Sequence, residues 1–176
     1  MTPDDAILAF KPIAQADVLA IMLLDRDPVY QLTELMRYLH RIDAWLTQAR
    51  AVLATGPQPQ FEAMITRVGE ITTIQLPRAT RCLANAIKER DKGKLGNPAG
   101  VVGTESLDND PSKSCIDRQQ DINSETLNDL SEADTLSERV DAISDWGHDT
   151  KENLGQCIDD AFGQFDHDNA PDDSPP

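Results

Sequence analysis

The sequence is short of long apolar runs and of anything resembling an export signal. Its longest uninterrupted apolar run, Val18 to Leu24, has seven residues, whereas a membrane-spanning helix needs about 20. Residues 1–5 are acidic and polar and lack the basic start and apolar core of a secretory signal. We therefore expect no membrane span and a location inside the cell, either in the cytoplasm or in a particle assembled there. The alternative is that the protein leaves its cell by a route that this sequence does not display.

Cysteine is also scarce. The three cysteines, Cys82, Cys115 and Cys157, are separated by 33 and 42 residues. An odd number at these spacings suits neither a disulfide scaffold nor paired zinc ligands. The simplest interpretation is three free thiols.

Motifs that carry chemistry are absent or incomplete. The sequence has no Gly-rich phosphate loop, no paired metal motif and no nucleophile elbow. The alternating acidic spacing that begins at Asp108 fails as a calcium loop, because Lys113 stands where glycine is required. The Asp-His-Asp run at 166–168 has no second cluster to complete a coordination shell, so a solvated tail is the better interpretation. We expect a protein that is not an enzyme and that has no cofactor and no metal site.

What the sequence does have is a strongly divided charge. The net charge of −15 is carried by one half: residues 1–100 hold 12 Lys and Arg against 11 Asp and Glu, and residues 101–176 hold 4 against 20. Carboxylates without partners repel one another and oppose compaction. This division indicates a core followed by an acidic appendage.

The clearest pattern is an apolar stripe between Pro28 and Ala54. Its members recur at spacings of three and four, which places them on one face of a long helix. The residues flanking this stripe are mostly apolar or aromatic, whereas a dimeric coiled coil needs charged flanks, so a helical bundle is favoured over a coiled coil. The stripe consists of Leu32, Leu35, Leu39, Ile42, Leu46, Ala49 and Leu53.

Further helices are expected on both sides of the proline-rich turn at 56–59. Apolar residues from Phe61 onward recur at helical spacing, and the β-branched run 71–74 has no second strand-like segment with which to pair. Pro12 and Pro77 are expected to kink or break their helices. The fold class is therefore all-α, with an N-terminal bundle in which the helix from Pro28 is central.

The composition divides the chain into four parts. Residues 1–94 are expected to form a helical bundle and oligomerisation body that is stable alone, and the Gly- and Pro-containing stretch 95–123 a flexible linker. Residues 124–165 carry an apolar ridge among acidic residues, which predicts a helical arm that needs a docking surface. Residues 166–176 predict a disordered acidic tail.

A basic cluster precedes the linker, between Arg78 and Lys94. It can be interpreted as the solvated end of a helix, as a phosphate-binding surface, or as the receptor for the acidic arm. Nucleic acid is disfavoured because no aromatic residue is interleaved and the whole chain is acidic. Candidate partner-binding residues are the basic positions and the apolar ridge of the arm: Arg78, Arg81, Lys88, Arg90, Leu136, Val140, Ile143, Phe162 and Phe165.

These patterns predict a non-enzymatic protein–protein interaction component. In the first interpretation it is an assembly, scaffold or adaptor protein, of the kind found as a viral or bacterial accessory protein. It associates with copies of itself or with other proteins through its apolar stripes and acidic arm. In the second it is an acidic inhibitor, antitoxin-like factor or chaperone that neutralises a basic partner. Salt should weaken binding steeply only in the second.

Overall fold

The computed structural model describes residues 1–16, 18–93 and 111–168. Within those ranges the chain is helical and contains no strand, which confirms the all-α fold class. The parts of the expected linker and tail at 95–110 and 169–176, and Lys94 of the basic cluster, lie outside the described residues.

The N-terminal helix α1 runs from Pro3 to Gln15. Thr2 caps it: the Asp5 backbone N–H donates to Thr2 Oγ1 at 3.2 Å, and the Thr2 N–H donates to the Asp5 carboxylate at 3.0 Å. The helix continues through Pro12, so of the two expected outcomes, a kink or a break, the break does not occur. A short helix α2, Val18–Ile21, and a 3-10 turn, Met22–Leu24, follow.

Two long helices form the first hairpin. Helix α3 spans Pro28–Arg50 and is capped by Asp27, whose carboxylate accepts from the Val29 N–H at 2.9 Å. Helix α4 spans Pro59–Asp91 and includes both the β-branched run 71–74 and Pro77. The helical interpretation of that run is confirmed, and the helix does not break at Pro77. Gly56 turns the chain between them with a φ of 139°, which favours glycine.

The second hairpin is acidic. Helix α5 spans Pro111–Glu132, and helix α6 spans Leu136–Phe162 with Thr135 as its cap. The linker predicted over 95–123 is therefore wrong from residue 111 onward. The buried face of α5 is largely polar, and the pattern of apolar residues therefore does not reveal this helix. Its buried polar residues Ser112, Gln119, Asn123 and Thr126 lie beside the buried Cys115 and Ile116.

Helix α4 packs between α3 and α6, and α6 packs between α4 and α5. Helices α4 and α6 run parallel, because Gln60 contacts Ser137 and Arg78 contacts Asp159 in the same order along both. Helix α1 lies against α3, α5 and α6. The long stripe on α3 is buried as expected, but α4 and α6 are the central helices and α3 is not.

One core includes both hairpins. Phe10 of α1 meets Trp45 of α3 and Trp146 of α6 edge to face, with ring centroids 5.4 Å and 4.8 Å apart. The Trp45 indole N–H donates to the Ala6 carbonyl at 2.8 Å. The helical arm predicted over 124–165 is thus two helices that complete the core, and the body predicted over 1–94 contributes only part of it.

One stretch of the described chain, Pro3–Leu24, is long and apolar enough to cross a membrane by length and composition alone. Its most apolar window has a mean hydropathy of 1.8, and 38% of that window is buried in the chain's own core. Core helices of soluble proteins pass the same test, so the absence of a membrane span stays a prediction.

Candidate functional site

Two arginines of α4 hold a carboxylate that follows α6. Arg78 donates from Nε and Nη2 to Asp166 Oδ2 at 3.0 and 2.9 Å, and Arg81 donates from Nε and Nη2 to Oδ1 at 3.1 and 2.6 Å. Arg78 also pairs with Asp159. Burial alone would raise the pKa of Asp166, but the hydrogen bonds from Arg81 and Arg78 outweigh it and lower that pKa.

The backbone around Asp166 is held from the same face of α4. Asn85 is 2% exposed, and its amide Nδ2 donates to the carbonyls of Phe165 at 2.8 Å and His167 at 2.9 Å. Phe165 is fully buried, and the Cys82 thiol donates to the Phe162 carbonyl at 3.7 Å. Residues 166–168 are therefore anchored, and the predicted disordered tail is wrong for this part of it.

Of the candidate basic residues, Arg78 and Arg81 make the contacts described above to the acidic segment. Lys88 is partly exposed and Arg90 is exposed. The apolar candidates divide differently: Leu136 is 36% exposed, and the others are within the core. The buried candidates, which have no surface to offer a partner in this fold, are Val140, Ile143, Phe162 and Phe165.

A buried polar network fixes the register of α5 against α6. Gln119 Nε2 donates to Thr150 Oγ1 at 2.9 Å, and Asn153 Nδ2 donates to Gln119 Oε1 at 3.0 Å and to the Cys115 carbonyl at 2.9 Å. The Trp146 indole N–H donates to Asn123 Oδ1 at 2.8 Å. Because these groups satisfy one another away from water, the network has a structural role.

Above this network, exposed carboxylates from both helices line a shared surface, which we name the acidic face. A shallow groove of about 160 Å³ runs between the helices there. Within the part of the chain that the structure describes, only one of these carboxylates, Asp145, has a cation within 4.0 Å, which is Arg67. Arg118 borders the other end and donates to Asn153 Oδ1. The acidic face consists of Glu125, Asp129, Asp145, Asp149 and Glu152.

From the sequence, these five carboxylates are expected in one helical arm over 124–165, whereas the structure places them on two helices that face one shared groove. The spacing of four residues from Asp117 through Asp121 and Glu125 to Asp129 is a helical signal that was available. It places the four carboxylates along one side of a helix.

The cysteines differ from the expectation of three free thiols. Cys115 of α5 and Cys157 of α6 form a disulfide, and their Cα atoms are 5.4 Å apart. Cys82 is a buried free thiol, and burial and the nearby Asp166 raise its pKa to about 11 despite Arg78 and Arg81. Among the described residues no group of three His, Cys, Asp or Glu side chains could hold a metal ion.

No protein-family model, curated protein sequence or solved structure matches this chain. Its function must therefore be argued from the geometry of its own residues.

Proposed function

We propose that this chain is a non-enzymatic protein-binding protein and that its acidic face binds a basic partner protein. The observation that carries this proposal is that Glu125, Asp129, Asp149 and Glu152 lie together on the surface without an ion-pair partner among the described residues. The proposal keeps the interaction function expected from the sequence. It favours the second interpretation, in which the chain neutralises or carries a basic protein.

The proposal moves the binding surface away from the apolar stripes. Those stripes pack inside the chain's own core, so they support the fold rather than an association. Among the described residues, the large apolar side chains that remain exposed lie on separate helices and turns. They are Met1, Leu8, Leu24, Ile74 and Leu136.

The physical reason is the cost of keeping like charges close together. Neighbouring carboxylates on a helical surface repel, and lysine or arginine side chains of a partner would relieve that repulsion. Such a surface also speeds the encounter with a positively charged partner, and salt screens this effect. The disulfide and the polar network hold the two helices that present the carboxylates in a fixed register.

A pair of charge-matched variants tests the proposal. The first variant removes four negative charges from the acidic face. Its binding to a lysine homopeptide, the probe, is measured by calorimetry at low and at physiological salt. Exposed charge pairs contribute about 0.2 to 1 kcal/mol each, so the loss of four in this variant should weaken binding of the probe about fourfold or more, with a shallower salt dependence. Its substitutions are Glu125→Gln, Asp129→Asn, Asp149→Asn and Glu152→Gln.

The control variant removes four exposed carboxylates elsewhere, so the two variants have the same net charge. It should bind the probe nearly as well as the unmodified chain. Equal weakening by both variants would show that the probe senses only total charge, and the acidic face would then be no binding surface. The control substitutions are Asp43→Asn, Glu62→Gln, Asp91→Asn and Asp168→Asn.

Association between copies of this chain is a second expectation from the sequence. Light scattering after size-exclusion chromatography measures it directly. If the apolar stripes serve only the core, the chain should elute with the mass of one copy at both low and high salt. A larger mass that persists in high salt would favour the assembly interpretation.

A further inference from the structure

Cys115 and Cys157 are placed where a covalent bond between them fits the fold. Cys115 is near the start of α5 and Cys157 is near the end of α6. Their Cα atoms are 5.4 Å apart, within the range of about 4.4 to 6.8 Å that a disulfide spans. Each residue is only 1% exposed.

The disulfide joins α5 and α6 at the open end of their hairpin. Helices α5 and α6 are joined by residues 133–135 at one end of the hairpin, and the cysteines join them near the opposite end. Between these two ends lie the buried polar network and, above it, the acidic face. The cross-link therefore closes a hairpin whose outer carboxylates repel one another.

We propose that Cys115–Cys157 is a permanent structural disulfide and that this chain folds and acts in an oxidising compartment. In its formation the two thiols lose two protons and two electrons. The electrons pass to another disulfide, that of a thiol–disulfide oxidoreductase or of oxidised glutathione, which is reduced to two thiols. Cys82 takes no part and stays a thiol.

Burial distinguishes a permanent cross-link from a redox switch. Exchange requires a thiolate to reach one of the two sulfurs, and at 1% exposure soluble thiols cannot reach them in the folded chain. Cys82 is fully buried on α4, and its thiol donates to the Phe162 carbonyl. Its raised pKa keeps it protonated, so it is a poor internal nucleophile.

A stable disulfide indicates the cellular compartment in which this chain meets its partner. Stable disulfides belong to extracytoplasmic environments and are rare in the reducing cytosol. This inference departs from the intracellular location expected from the sequence, which rested on the lack of a secretory signal at residues 1–5. It is independent of the acidic face, because the oxidation state of the cysteines can be measured without any partner.

Counting thiols in the full chain tests the inference. The chain is produced once in the reducing cytosol of a bacterial host and once, behind a host leader, in its oxidising periplasm. Each sample is denatured without reductant, alkylated with iodoacetamide and weighed by mass spectrometry. The periplasmic chain should accept one alkyl group, at Cys82, and the variant Cys82→Ser should accept none. Three alkylated cysteines in the periplasmic chain, or a disulfide that includes Cys82, would overturn the assignment.

Thermal unfolding of the same two samples tests the dependence on compartment. The cytosolic chain should accept three alkyl groups and melt at a clearly lower temperature than the periplasmic chain. Oxidised glutathione added during refolding should restore the higher melting temperature, and the variant Cys115→Ser should not respond. If the reduced and oxidised chains melt at the same temperature, the fold does not need an oxidising compartment and this part of the inference fails.

Discussion

At the scale of single residues, Gly147 of α6 lies close to the backbone of α4. A Cβ atom at this position would lie 3.0 Å from Val68 Cγ2 and 3.2 Å from the Val68 Cα and backbone N. The Val68 backbone cannot move without shifting its helix. Because Gly147 has no side chain, the backbone of α6 can pack directly against Val68 of α4.

Gly147→Ala should destabilise the protein for this reason. We expect a loss of about 1 to 3 kcal/mol in the free energy of unfolding, the usual cost of overpacking, measured by urea denaturation. Gly163→Ala is the matched control, because Gly163 has a helical φ of −56° and no atom within 4 Å of its Cβ position. The control should be neutral or slightly stabilising. Equal effects of the two substitutions would contradict the close contact at Val68.

Asp166 links stability to pH. Its folded-state pKa is lowered below 3.8 because hydrogen bonds from Arg81 and Arg78 outweigh the opposing effect of burial. A lowered pKa stabilises the folded state above the unfolded pKa, and this stabilisation is lost as the pH falls through the folded pKa. The contribution is therefore complete near neutral pH and disappears in acid.

Asp166→Asn should lower the free energy of unfolding by about 1 to 3 kcal/mol near neutral pH, the range for hydrogen bonds to a charged group. The difference from the unmodified chain should shrink as the pH falls below 3.8, the ordinary value for this group. Denaturation curves at several pH values measure it. Asp168→Asn serves as the control, because Asp168 is exposed and makes no ion pair with a described residue. A difference that does not vary with pH would refute the role of the ionised carboxylate.

At the scale of helices, α3, α4 and α6 could be read from the sequence and α5 could not. The stripe from Leu32 to Ala49 is almost entirely apolar at helical spacing, so hydropathy alone reveals it. The buried positions of α5 alternate cysteine, isoleucine and leucine with Gln119, Asn123 and Thr126. Gln119 and Asn123 have hydrogen-bond partners on α6, and no single-sequence pattern shows such partners.

Neither proline inside a helix interrupts it. Pro12 and Pro77 stand inside α1 and α4, although each removes one backbone hydrogen bond from its helix. Both prolines are exposed, while neighbours such as Ile13 and Ala79 are buried. Packing of the apolar face thus outweighs the local cost of proline. The helix propensities of the individual residues do not include this packing, so they cannot predict it.

Leu39 tests the burial of the α3 stripe. It is fully buried, so Leu39→Ala should cost about 2 to 5 kcal/mol through lost contacts and the cavity that remains. Leu8→Ala removes the same atoms from a side chain that is 62% exposed and should change stability by less than about 0.5 kcal/mol. Thermal or chemical denaturation compares the two. A Leu39→Ala variant that melts like the unmodified chain would mean that the stripe is not core.

At the scale of the whole molecule, the charge division that the sequence displays is real, but it does not separate a body from an appendage. The acidic half contributes Trp146, Leu154 and Phe162 to the same core as α1, α3 and α4. The basic cluster does receive the acidic segment through Arg78 and Arg81, as one interpretation of the sequence suggested. The apolar contacts behind those ion pairs join the two halves into one unit.

Native-state hydrogen exchange of the whole chain tests most directly whether the acidic hairpin completes the core. If α5 and α6 are integral, their most protected amides should open only with global unfolding, with free energies within about 1 kcal/mol of those in the centre of α4. Exchange of α5 and α6 at a distinctly lower free energy, with α3 and α4 still protected, would contradict this. The chain would then be a self-sufficient body with a detachable acidic arm.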